Sequence, residues 1–249
     1  MASFWKHVKQ VIDKSDMLIE VLDARFMQES RNKELENKIQ KANKVLLYVV
    51  NKSDLIEFKD AQKTKKILKP SVFISSRDHL GTTILKKKIL ELSKGREVTV
   101  GIVGYPNVGK SSLINALSGK GAARTSSQSG FTKGIQKIKV DNKIMVLDTP
   151  GVFPYKEKDQ VRLAKIGAID ADHLKDPELV ALELLEENID EIKAHYRLES
   201  DEPDEMIDEI AILIGALKKG SLPDTERASR SMIKSIQKGD IEIKAQELV

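Results

Sequence analysis

The stretch GYPNVGKS at positions 104–111 constrains this chain more than any other feature. It follows the apolar, β-branched run at 98–103 and precedes a run with helical spacing. Strand, glycine-rich turn and helix are therefore predicted in immediate succession. Gly104 and Gly109 allow the backbone to curl so that its amides converge, and the N-terminus of the following helix favours an anion. The pattern G-x-x-x-x-G-K-[ST] is that of a loop cradling phosphates. Within it Lys110 supplies a point charge for β- and γ-phosphates and Ser111 a hydroxyl for Mg²⁺, while Asn107, Val108, Gly109 and Ser112 complete the cradle.

The rest of the first half repeats the strand–helix alternation. Apolar runs at 17–22, 45–50 and 72–75 read as buried strands, separated by Lys/Glu-rich stretches with helical spacing at 34–44, 60–68 and 83–92. A helix through Leu117 and two strands at 134–140 and 143–147 follow. This is the pattern of an α/β fold with a parallel sheet. Beyond Gly151 the strand pattern nearly stops. Asp176 caps a helix opened by Pro177 and running to about Glu187. Ile207, Ile210, Ile214 and Leu217 mark one face of a helix that Gly220 is expected to end. Asp224 caps another, with Ala228, Met232 and Ile236 inward and Gly239 just past its end. The expected organisation is an α/β domain over 1–154 and a small all-helical domain over 155–249.

Two more motifs stand at predicted strand ends. After the strand at 45–50 comes NKSD at 51–54. Asp54 can accept hydrogen bonds from guanine N1–H and the exocyclic amine, and adenine presents neither donor there. An unpaired buried carboxylate costs several kcal/mol, roughly, so such a site discriminates strongly. Asn51 can secure the loop, the Lys52 stem can cover the ring face, and Ser75, Ser76 and Arg77 can offer backbone amides to the base carbonyl. DTPG at 148–151 supplies Asp148 as a carboxylate for Mg²⁺ through a water and Gly151 as an amide for the γ-phosphate. Between these lies Thr132, the candidate switch threonine, with Thr125 as its rival.

Composition narrows the setting. No apolar run is long enough to span a membrane, and the absence of cysteine excludes disulfides and thiolate metal sites and fits a reducing compartment. The net charge of +4 is unevenly spread: basic over 59–96, acidic over 176–209, basic again over 218–244. Such a distribution suits a polyanionic partner such as RNA. A cytoplasmic location is expected, and neither membrane nor DNA is an expected partner.

The order of the motifs is informative: NKSD and SSR come first, then the phosphate loop, the threonine loop and DTPG. This resembles the circularly permuted P-loop GTPases of the YlqF/YawG (MMR1/HSR1-like) type. Asp23, Ala24 and Arg25 followed by Ser30, Arg31 and Asn32 resemble that family's DAR…SRN signature. Gly151 to Pro154, Leu163-Ala164 and Gly167 to Ile169 are similar to its junction and first C-terminal helix. The resemblance implies GTP and GDP as ligands, a role in assembly of the large ribosomal subunit, and a C-terminal domain that binds rRNA. It implies a K⁺ site at Asn107 and catalytic parts for Lys110, Thr132 and Asn107. Two departures matter. Val152 stands where many GTPases place a water-orienting Gln, so slow intrinsic hydrolysis is expected. The Pro-Gly-His segment of bacterial members has no match in His7, which with Phe4 and Trp5 is expected to pack or face solvent. The alternative reading is a GTP-dependent regulator of a protein partner with little hydrolysis of its own.

Overall fold

The structure, a computed structural model, describes residues 2–57, 59, 66–119, 136–148 and 159–243. Thr125, Thr132, Gly151, Val152 and the expected junction at 154/155 lie outside the described residues, as do the side chains of Phe4, Trp5 and His7. Two compact units are present, one built on Met1–Glu157 and one on Lys158–Ala245.

The first unit is a six-stranded sheet in the order β3-β2-β1-β4-β6-β5. Its strands are β1 (Met17–Asp23), β2 (Val45–Asn51), β3 (Ser71–Phe73), β4 (Val98–Val103), β5 (Gln136–Lys139) and β6 (Ile144–Asp148). All neighbours run parallel except β5, which pairs antiparallel with β6. Burial explains the composition: all seven positions of β1 are buried, as a strand with neighbours on both sides and cover on both faces requires. By contrast the edge strand β5 exposes Gln136, Lys137 and Lys139, polar and charged positions that discourage edge pairing. Helices α1 (Ala2–Lys14) and α2 (Lys33–Lys41) bring Val8, Val11, Leu35 and Ile39 onto Leu18 and Val103 of the sheet. Helices α3 (Thr82–Leu92) and α4 (Lys110–Ser118) follow β3 and β4.

Sheet order locates the site. From β1 the sheet grows to β2 and β3 on one side and from β4 on the other, so the winding reverses between β1 and β4. Ligands of open α/β sheets bind beyond the carboxyl ends of the strands at such a reversal. Asp23, Asn51, Gly104 and Asp148 all lie at that edge, and the β1–β2 register sets Asp23 beside Asn51.

Among the described residues the second unit holds the helices α5 (Gln160–Lys165), α6 (Pro177–Glu187), α7 (Ile189–Tyr196), α8 (Pro203–Leu213) and α9 (Thr225–Lys238). Asp159, Asp176 and Asp224 accept the N–H of Arg162, Leu179 and Arg227, capping α5, α6 and α9. Leu184, Ile192, Met206, Ile210, Met232 and Ile236 share one core. One expectation fails. The helix begun at Pro203 ends at Leu213 and does not continue to Gly220, leaving Ile214 and Leu217 outside the core at 37% and 44% exposure. Gly215 takes a left-handed conformation at φ +67° and the Ala216 N–H turns back to the Ala211 carbonyl, a glycine stop one turn early.

Candidate functional site

The loop from β4 to α4 holds three residues at positive φ: Gly104 (141°), Asn107 (60°) and Gly109 (97°). At two of these only glycine fits. A Cβ on Gly104 would stand 2.6 Å from the Val21 carbonyl oxygen, and one on Gly109 2.2 Å from Asn51 Nδ2. Asn107 accepts the left-handed conformation that asparagine tolerates better than most residues. Lys110, the first residue of α4, is buried, and its Nζ donates to the carbonyls of Gly104 at 3.1 Å and Tyr105 at 2.5 Å. Burial pulls its ammonium down to about 8, while the nearby Asp148 carboxylate works the other way. Asp148 itself is buried at the end of β6. Ser111 and Ser112 are half-buried in the first turn of α4, and Val108 is fully buried.

The second part of the site is built on Asn51, which is 2% exposed. Its Nδ2 donates to the Val108 carbonyl at 2.9 Å. Its Oδ1 accepts from the Ser76 N–H at 3.1 Å and the Ser76 hydroxyl at 2.7 Å. One side chain therefore ties the NKSD loop, the SSR loop and the phosphate loop together. Lys52 follows in a left-handed conformation (φ 61°), and Asp54 is exposed in the short turn Ser53–Leu55, which the Ser53 N–H pins to the Ile74 carbonyl. The SSR loop differs from expectation. The Ser75 N–H donates to the Leu80 carbonyl and the Ser76 N–H to Asn51, so both amides serve the protein's own contacts. Arg77 is exposed at the tip, and the Ser75 hydroxyl donates to Asp78.

Geometry also gives the DAR…SRN residues contacts that spacing did not reveal. Asp23 is fully buried and accepts from the Arg25 N–H, Nε and Nη2 and from Lys52 Nζ at 2.7 Å. Burial pushes its carboxyl up, but Lys52 and Arg25 outweigh this and hold it below the usual range. The Asp23 N–H donates to Ser30 Oγ, Arg31 forms a two-pronged pair with Glu36 at 2.8 Å, and Asn32 caps α2 through Leu35. The Asn32 N–H also meets Glu20, a buried carboxyl in mid-strand. Burial and the neighbouring Glu36 push Glu20 well above the usual range. In the helical unit the Leu163-Ala164 and Gly167–Ile169 signature is a helix stop. Gln237 of α9 donates to the carbonyls of Ala164 and Ile169, both at 2.9 Å.

A divalent ion would have hard-oxygen ligands here. Among the described residues no three His, Asp or Glu side chains gather into a metal nest. Ser111 and Asp148 carry hard oxygen donors of the kind that Mg²⁺ accepts. No described helix is long and apolar enough to cross a membrane.

The family described as "50S ribosome-binding GTPase" (MMR_HSR1) matches residues 99–212. An uncharacterised GTP-binding protein of Methanocaldococcus jannaschii is 39% identical over 246 residues, 95% of this chain and 65% of that protein. Nucleolar GTP-binding protein 2 of Saccharomyces cerevisiae is 31% identical over 251 residues, 95% of this chain and 52% of that protein. The GNP-bound structure of YlqF from T. maritima superposes with a TM-score of 0.73 at 25% identity, covering 99% of this chain and 100% of that one. A GDP-bound structure of YlqF gives 0.71 over 97% and 99% of the two chains. The chain spans between 40% and 65% of the length of the curated relatives it matches.

Proposed function

We propose that this chain is a circularly permuted GTPase of the YlqF type, to whose structures it is similar over nearly its whole length, and that it binds GTP and hydrolyses it to GDP and phosphate as a switched factor in large-subunit ribosome assembly. The observation that carries the reading is the Asn51 clamp: it holds the NKSD loop against the GYPNVGKS loop at one sheet edge.

In this reading Asp54 accepts from the guanine N1–H and exocyclic amine, and Lys52 covers the ring. Because the amides of Ser75 and Ser76 are engaged, Arg77 is left to meet the base carbonyl. Amides of 107–112 and Lys110 hold the phosphates. Thr132 and Gly151 close on the γ-phosphate. Ser111, Thr132 and, through a water, Asp148 would hold Mg²⁺, which would supply positive charge against the phosphates. Water attacks the γ-phosphorus, the bond to the β–γ bridging oxygen breaks, and Lys110 stabilises the charge that develops. With Val152 unable to orient the water, turnover is slow until K⁺ at Asn107 or a bound particle supplies the missing stabilisation. Residues 1–154 act as the nucleotide domain and 155–249 as the rRNA-binding one, in the cytoplasm, with the pre-ribosomal particle as partner. Nuclear and nucleolar GTP-binding proteins among the relatives support this partner class.

The test is competition binding followed by single-turnover phosphate release. GTP is expected to outcompete ATP by roughly 100-fold or more, from the hydrogen bonds adenine cannot make, and release is expected to accelerate with large-subunit precursors. ATP binding as tightly as GTP would overturn the reading. Val152 favours a second reading, a GTP-set binding module with negligible hydrolysis. Turnover that stays negligible with K⁺ and with particles would select it.

A further inference from the structure

The Asp23 carboxylate sits beneath the NKSD loop and its contacts point beyond packing. Arg25 alone already offers it three N–H groups. Lys52 Nζ, from another strand end, adds a fourth contact at 2.7 Å, while the Lys52 side chain keeps 25% of its surface exposed. Lys52 lies between Asn51, which is clamped, and Asp54, which is exposed, and its own backbone is in the sparsely populated left-handed region. The turns Ala24–Phe26 and Ser53–Leu55 lie side by side. Ser30 fixes Asp23 from the other side by accepting its N–H.

We propose that Asp23 is a specificity-determining positioning residue: it anchors the Lys52 ammonium, fixes the path of the Lys52 stem, and thereby sets Asp54 for guanine. This rests on the guanine-nucleotide reading above. A long, flexible lysine held at its tip presents its methylenes as an ordered surface, where an unanchored one would have to be ordered at each binding event. The anchor lies in a water-excluded place, so the pair is not screened as a surface pair would be. Asp23 therefore acts on the base and not on the phosphates.

The full chain carrying Asp23→Asn, Lys52→Ala, or both is titrated with a fluorescent GDP analogue, displaced in turn by GDP, ADP and inorganic tripolyphosphate. Wild-type protein comes first: no guanine preference there sinks the nucleotide reading itself. Given that preference, Asp23→Asn is expected to weaken GDP about tenfold, the scale of one ordered charged contact, while tripolyphosphate displacement stays within about twofold. The double variant should be no weaker than Lys52→Ala alone, since one acts through the other. Unchanged GDP affinity in Asp23→Asn, or additive losses in the double variant, would overturn the proposal. If the Arg25 cation, without the Asp23 carboxylate, prevents Asp23→Asn from folding, Asp23→Asn/Arg25→Gln removes it, and the same outcomes decide.

Discussion

The side-chain amide of Asn51 donates to the carbonyl of Val108 at 2.9 Å, joining two loops 57 residues apart in the chain. That hydrogen bond depends on which strand ends are neighbours in the sheet, not on which comes first. A permuted chain keeps it because β1, β2 and β4 still deliver their carboxyl ends to the same edge. Replacing Asn51 by Ala leaves the Val108 carbonyl and both Ser76 donors without this partner. At about 1–3 kcal/mol for an unsatisfied buried group, GDP affinity should fall by roughly 10- to 100-fold. Asn51→Asp should do no better, since it turns a carboxylate oxygen toward the Val108 carbonyl. Calorimetric titration of both variants checks this, and wild-type affinity in either one would show the clamp to be incidental.

Lys110 carries a pH signature. Its ammonium is drawn down to about 8 in the free protein from an ordinary 10.5. The unfolded chain thus binds more protons between these values, so this group's contribution to stability is complete above 10.5 and is lost as pH falls through 8. Bound phosphates would hold the ammonium charged. GDP binding at about pH 8 should therefore take up about half a proton at Lys110, and almost none at about pH 6. Calorimetry in buffers of differing ionisation enthalpy reads this directly. Lys110→Met should abolish that uptake and tight binding. A variant that still takes up about half a proton at about pH 8 would count against this account.

Strand ends were legible from sequence because the chemistry there needs fixed residue types: glycines where a Cβ would strike Val21 or Asn51, a lysine and a serine opening α4, an aspartate closing β6. The caps at Asp176 and Asp224 were legible for the same local reason. Long-range partners were not. Nothing in the spacing of DAR…SRN announces that Asp23 meets Lys52, or that Glu20 is buried inside an apolar strand. The end of α8 is not fixed by sequence because two glycines, Gly215 and Gly220, are both competent to stop it, and both adopt positive φ. Apolar periodicity at Ile214 and Leu217 argued for the later one, and the hairpin bridge between Leu217 and Pro223 decides for the earlier.

Base choice should follow Asp54, exposed in the turn that the Ser53 N–H pins to the Ile74 carbonyl. Asp54→Asn exchanges an acceptor for a donor, so it should weaken GTP by about 100-fold or more and make xanthine nucleotides the better ligands. Competition among GTP, ATP and XTP in the two proteins measures the reversal. If the variant keeps its preference for guanine, Asp54 is not the base reader.

The basic side of α9 divides into two groups, and the division changes how rRNA binding by the helical unit should be tested. Arg230 is committed internally: it donates to the carbonyls of Ala171 and Leu174 and pairs with Glu226. Lys234 pairs with Asp172 at 2.7 Å. Both brace the 171–174 segment against α9, so reversing either charge should destabilise the unit whether or not it meets RNA. Arg227, Lys238 and, on the turn before α9, Lys219 offer a different group: all three are exposed, Lys238 at the last turn of the helix. Their reversal to Glu should leave the melting temperature within about a degree or two, as surface changes usually do. Binding to an rRNA fragment should weaken in all three. Each phosphate left without its cation should flatten the slope of log affinity against log salt by about 0.7 to 0.9. Repeating the titration with GDP and with a non-hydrolysable GTP analogue tests the switch, because any tightening of RNA by the triphosphate must be matched by an equal tightening of the triphosphate by RNA. Reversals that leave both affinity and salt slope untouched would show these three cations to be a solvated face, and equal RNA affinity in the two nucleotide states would remove the switch while leaving the GTPase intact.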